Sequence, residues 1–102
     1  MKRQVYGSFR DEDCLALLCF VADHREAMTL SELAEGAGIA RRSLCRMLID
    51  ALSSGTGSRL AIVAQRYHFE FMVHRDALTY PGRGKGPRGR MKIIEVIRRG
   101  YE

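Results

Sequence analysis

"LAEGAGIARRSLCRML", residues 33–48, decides the fold: its glycines sit between two stretches with helical spacing. Just upstream, Thr29 can accept from the N–H of Glu32 while the Glu32 carboxylate reaches back to the N–H of Thr29. Met28 and Leu33 have the spacing of a hydrophobic staple around that cap. A helix therefore begins at Thr29. Gly36 and Gly38 supply the positive backbone angles of a sharp helix exit, and Ile39 plugs the corner. A further helix runs from Arg41 to Leu52 and stops in the turn cluster "SSGTGS". Its apolar residues Leu44, Met47, Leu48, Ala51 and Leu52 recur at three and four positions and share one face. The other face carries Arg41, Arg42, Ser43, Cys45, Arg46 and Ile49 or Asp50.

Working outward, "SFRDEDCLALLCFVADHREA" (8–27) places Ser8 three residues before Asp11, a capping pattern ahead of an apolar run. Residues 10–26 read as a largely buried first helix, with His24, after its apolar run, a surface or capping residue. Downstream, "RLAIVAQ" (59–65) and "YHFEFMVH" (67–74) are rich in β-branched and aromatic residues and read as strands. "MKIIEVIRR" (91–99) is a third strand candidate, although a short helix also fits. The expected fold is α+β, a three-helix core followed by a hairpin, in one domain spanning residues 1–102. The hairpin tip falls either at the tight turn near Gln65 and Arg66 or in the long loop "PGRGKGPRGR" (81–90).

A net charge of +5 and a pI near 9.5 favour a polyanionic partner. The charge is uneven: acidic residues gather at Asp11, Glu12 and Asp13 and around Glu26, Glu32 and Glu35, whereas "RGKGPRGRMK" (83–92) holds five basic residues and no acidic one. The longest apolar run, residues 14–22, is far short of the roughly 20 residues that cross a bilayer. Three cysteines with no CxxC spacing argue against a disulfide framework and suit a reducing compartment. The expected location is therefore the cytoplasm. Cys14 and Cys19, five apart on a helix, diverge by about 140°. His68 and His74 lie roughly 20 Å apart along a strand. No metal site or cofactor is expected. The chain carries no Walker loop, no GxSxG elbow and no convergent carboxylate pair, so enzymatic activity is not expected. Cys45, set between Arg42 and Arg46, has the surroundings that lower a thiol's pKa, but a small space-filling role is the commoner one.

Two helices joined by a short glycine-containing turn, the second exposing basic residues in its first two turns, match the helix-turn-helix unit. Such a helix enters the major groove, where Arg donates two hydrogen bonds to guanine O6 and N7. "TLSELAEGAGIARRSLCRMLIDALSSG" (29–55) resembles the winged helix-turn-helix of the IclR and MarR families of bacterial regulators. Leu33, Ala34, Gly38, Ile39, Leu44 and Met47 carry the resemblance. It implies a sequence-specific double-stranded DNA-binding regulator, nucleoid-associated and acting as a homodimer. Ala40, Arg41, Arg42, Cys45 and Arg46 fall where the motif touches DNA, and Thr29 and Ser43 complete the expected contact set. The chain departs from the pattern at Ala40, where the family often has Ser, Thr or Pro, and it has no room for the effector domain of IclR proteins. The dimer contact is expected from the apolar run 14–22 or from the C-terminal strand. Arg83, Lys85, Arg88 and Arg90, kept from packing by the loop's glycines and prolines, are expected to lie along phosphates or enter the minor groove as a flexible wing.

The alternative is a protein-interaction module whose basic loop docks on an acidic protein partner. An RNA reading would have Tyr67, Phe69 or Phe71 stack on unpaired bases. The alternation of these residues is better explained as a core face.

Overall fold

The computed structural model describes residues 9–75 and 92–99. In chain order they form α1 (Asp11–Asp23), α2 (Leu30–Ala37), α3 (Arg41–Ser54), a single 3-10 turn (Gly55–Gly57), α4 (Arg59–Arg66), β1 (Phe69–Val73) and β2 (Ile94–Arg98). This α+β arrangement has four helices and one two-stranded antiparallel sheet. The helix α1 is central, packing against α2, α4 and β2, while α3 lies on α2 and α4.

Helix α1 starts from Arg10, whose N–H donates to Asp13 Oδ2 at 2.9 Å. Asp11, Glu12 and Asp13 place three carboxylates at the positive end of the helix. The cap expected from Ser8 lies outside the described residues. The helix stops at Asp23, three residues before the expected end, because His24 turns extended and closes it. His24 Nδ1 donates to the Phe20 carbonyl oxygen at 2.9 Å, and its ring stacks on that of Phe20 with centroids 4.2 Å apart. His24 is thus a capping residue.

The start of α2 follows the sequence reading closely. Glu32 N–H donates to Thr29 Oγ1 at 3.1 Å, and Thr29 N–H donates to Glu32 Oε1 at 2.9 Å. Met28 and Leu33 on either side are both buried. At the exit, Gly38 has φ 75°, and the N–H groups of Gly38 and Ile39 return to the carbonyls of Glu35 and Ala34. These two bonds form a Schellman closure. Gly36 has a different role from the expected one: it lies inside α2, where an added Cβ would come within 2.1 Å of Phe20 Cζ. Its bare backbone lets α2 seat against the edge of the Phe20 ring.

Helix α3 runs two residues past the expected end and closes at Gly55, φ 56°. Leu44, Met47 and Leu48 are wholly buried and Ala51 nearly so.

Residues 59–65 were expected as a strand, but they form α4. Ser58, itself 1% exposed, accepts from Ala61 N–H at 3.1 Å and starts a helix that buries Leu60, Val63 and Ala64 at helical spacing. Gln65 and Arg66 end this helix, so they are not a hairpin tip. The turn into β1 uses Tyr67 and His68, the latter at φ 64°.

Strand β1 matches the alternation read from the sequence, and residues 94–98, left open between strand and short helix, form β2. In β1, Phe69 is buried, Phe71 and Val73 are half-buried, and Glu70 and Met72 are exposed. The register pairs Phe69 with Arg98, Phe71 with Val96 and Val73 with Ile94. Ile94 and Val96 are buried, whereas Glu95 and Ile97 face out. The inner face of the sheet closes against α1 and α4, completing a core to which every helix and both strands contribute. Because Val73 pairs with Ile94, the chain between them, which contains the basic run, leaves and re-enters the sheet at one point. Residues 76–91 lie outside the described residues.

Candidate nucleic-acid interface

The core face of α3 defines its opposite. With Leu44, Met47, Leu48 and Ala51 inward, positions 42, 45, 46 and 49 follow at three, four and seven residues and form one outward stripe. Arg42 and Arg46 are exposed on it, Cys45 is half-buried between them, and Ile49 is 54% exposed at its far end. Arg41 is exposed beside the stripe and Ser43 is half-buried. The structure therefore brings together five of the expected residues, Arg41, Arg42, Ser43, Cys45 and Arg46, on the first two turns of one helix. Thr29 stands exposed at the start of α2 with its hydroxyl oxygen engaged by Glu32 N–H. Arg83, Lys85, Arg88 and Arg90 lie outside the described residues.

Seven of the described arginines fall into two sets. Arg59 and Arg66 both reach Asp11, at 3.0 and 3.5 Å, tying α4 to α1. Arg98 meets Asp23 at 2.7 Å and ties β2 to the end of α1; Arg99 pairs with Glu70 across the sheet. Among the described residues, Arg41, Arg42 and Arg46 form no ion pair and no side-chain hydrogen bond. Asp50, the acidic residue on the same helix, is turned away to accept from Ser54 Oγ and from Arg59 N–H at 3.0 Å. It caps α4 and leaves the α3 arginines uncompensated. Ala40 precedes α3 with no side-chain cap, as expected, so the side chain at that position leaves the helix's first N–H groups unmet.

Two residues that the sequence reading named as alternatives on the outward face were left out of the expected contact set. Ile49 belongs to the stripe by its spacing from Arg42 and Arg46, a signal present in the sequence. Asp50 caps a helix that the sequence reading took for a strand, so its role was not visible.

Other ionisable groups are engaged within the fold. The Arg98 guanidinium, by hydrogen bond and by charge, holds the Asp23 carboxyl below its usual range. Hydrogen bonding to His74, at 2.6 Å, does the same for Glu95. Burial pushes the Cys14 thiol up to about 12. Cys14, Cys19 and Cys45 are all free thiols, and among the described residues no group of His, Cys, Asp or Glu is placed to hold a metal. No described helix is long and apolar enough to cross a membrane. The apolar run of α1 turns Cys14, Leu17, Leu18 and Val21 into the protein's own core, which removes them from the expected dimer contact. The chain matches no family model, no curated protein and no solved structure.

Proposed function

We propose that this chain is a small winged-helix protein that binds double-stranded DNA in a sequence-dependent way and acts as a transcriptional regulator. In this reading α2 and α3 are the helix-turn-helix and β1 and β2 carry the wing. The observation that supports it most is the division of the arginines: those on α4 and β2 are consumed by internal carboxylates, while Arg41, Arg42 and Arg46 stand exposed on one helix with the local acid turned away. Arg42 and Arg46, one turn apart, suit contacts to successive base edges, and Ile49 suits a thymine methyl. Arg83, Lys85, Arg88 and Arg90 would add sequence-independent affinity for phosphates.

The test begins with a labelled random duplex titrated across a salt series, followed by selection of a preferred site from a random library. Log affinity should fall linearly with log salt, with a slope of about −0.9 per phosphate contacted. Arg42→Ala should then cost about 1–3 kcal/mol on the selected site and much less on random DNA. Equal losses on both would remove Arg42 from base readout. Absence of binding even at low salt would defeat the DNA reading and turn attention to an acidic protein partner.

A further inference from the structure

Among the described residues, the β1 strand pairs on one edge only. His74 N–H donates to the Ile93 carbonyl at 2.8 Å and Arg99 N–H to the His68 carbonyl at 2.6 Å. These bonds lie at the two ends of the ladder and fix its alternation: residues 68, 70, 72 and 74 turn their backbone groups toward β2. Phe69, Phe71 and Val73 turn theirs away, and among the described residues no further strand pairs with them. Alongside runs an open groove of about 740 Å³, lined in part by Thr56, Ala61, Ala64, Gln65, Phe69 and Phe71. Glu70 and Arg99 also line this groove, so it is mixed in character, and a strand edge with N–H and C=O groups directed into it is a template for one more strand.

We infer that the added strand is β1 of a second copy of this chain, antiparallel about a two-fold axis at Met72. A two-fold pairing allows only a few central registers, and the outward side chains discriminate between them. Centred on Glu70, the register opposes two carboxylates, which is unfavourable. Centred on Phe71, it sets each Glu70 against the Met72 of the other copy. Centred on Met72, it brings together two side chains that are each 58% exposed, and it sets Glu70 opposite His74 of the other copy. Glu70 already pairs with Arg99, and His74 already pairs with Glu95. The outer face would then carry Arg99, Glu70, then His74 and Glu95 of the other copy, a row of polar side chains that can hydrogen-bond in sequence on both sides of two buried methionines. Phe71 and Val73, with their backbone groups directed outward, would exchange hydrogen bonds across the axis. The product is a four-stranded sheet with an isologous interface. This assembly stands on the sheet alone and does not depend on what α3 binds.

The register gives the test its resolution. Met72 and its copy would form a non-hydrogen-bonded pair with Cα atoms about 4.5 Å apart, close enough for a disulfide. The full chain should sediment as a dimer, at twice 11.6 kDa. Met72→Cys, oxidised mildly and digested, should yield a 72-to-72 linked peptide, and Glu70→Cys should yield no 70-to-70 link. Met72→Glu should weaken the dimer by about tenfold or more while leaving the circular dichroism of the exposed-site variant unchanged. If Met72→Glu unfolds, the cross-link of Met72→Cys decides. A monomer at every concentration, a dimer indifferent to Met72→Glu, or linkage confined to other thiols would overturn the proposal. DNA affinity is measured separately on the same samples, so loss of one property leaves the other readable.

Discussion

Gly36 and Gly38 stand two residues apart and are glycine for unrelated reasons. Gly38 adopts a left-handed backbone at the helix exit, whereas Gly36 leaves room for the Phe20 ring, which is itself stacked on His24. Gly36→Ala should therefore destabilise the fold by about 1–3 kcal/mol in urea titration, because Phe20 must leave its stack. The same substitution in a Phe20→Leu background should cost clearly less; an unchanged cost would mean that the ring is not the obstacle. Cys14 supplies a second test at this scale. Its thiol ionises near 9.0 when unfolded and is pushed up to about 12 in the core, so the folded state favours the protonated form. A raised pKa contributes stability that is fully present below the unfolded value and is lost as pH rises toward the folded one. The melting temperature should decline between about pH 9 and 12, and Cys14→Ala should show a shallower decline over that window. Parallel curves for the two proteins would remove the thiol as the cause.

At the scale of elements, α2 was legible because its two ends are written locally: Thr29 and Glu32 close on each other, and Gly38 stops the helix. Strand β1 was legible from alternation at 69–73. Helix α4 was not. In "RLAIVAQ" the apolar residues fit both periods, since Leu60, Ile62 and Ala64 alternate while Leu60, Val63 and Ala64 have helical spacing. Two polar contacts tip the choice: Ser58 Oγ takes Ala61 N–H, and Asp50, nine positions upstream of Arg59, takes Arg59 N–H. The second of these is a tertiary contact and cannot be read in a short window. Ser58→Ala should cost about 1 kcal/mol or more in chemical denaturation, because the cap is buried. A change below a few tenths would assign the start of α4 to Asp50 alone.

Across the whole molecule, the sequence disclosed which arginines share the α3 face but not that they would be left without internal partners. That sorting depends on contacts between residues far apart in the chain, such as Arg98 with Asp23 and Arg59 with Asp11. The same long reach governs the core. Strand β2, with Ile93 just before it, comes from the far end of the described chain, yet it packs against α1, and Ile93, Ile94 and Val96 join an interior that α1 begins. Synthesis delivers α1 first and β2 last. Until residues 93–98 clear the ribosome exit, the side of α1 and β1 that β2 will cover stays open to water, and the nascent chain has a seam that other apolar segments can occupy. The described core thus closes only once β2 has emerged, and the seam on α1 is exposed to misassembly until then, with the basic run between the strands already outside the ribosome.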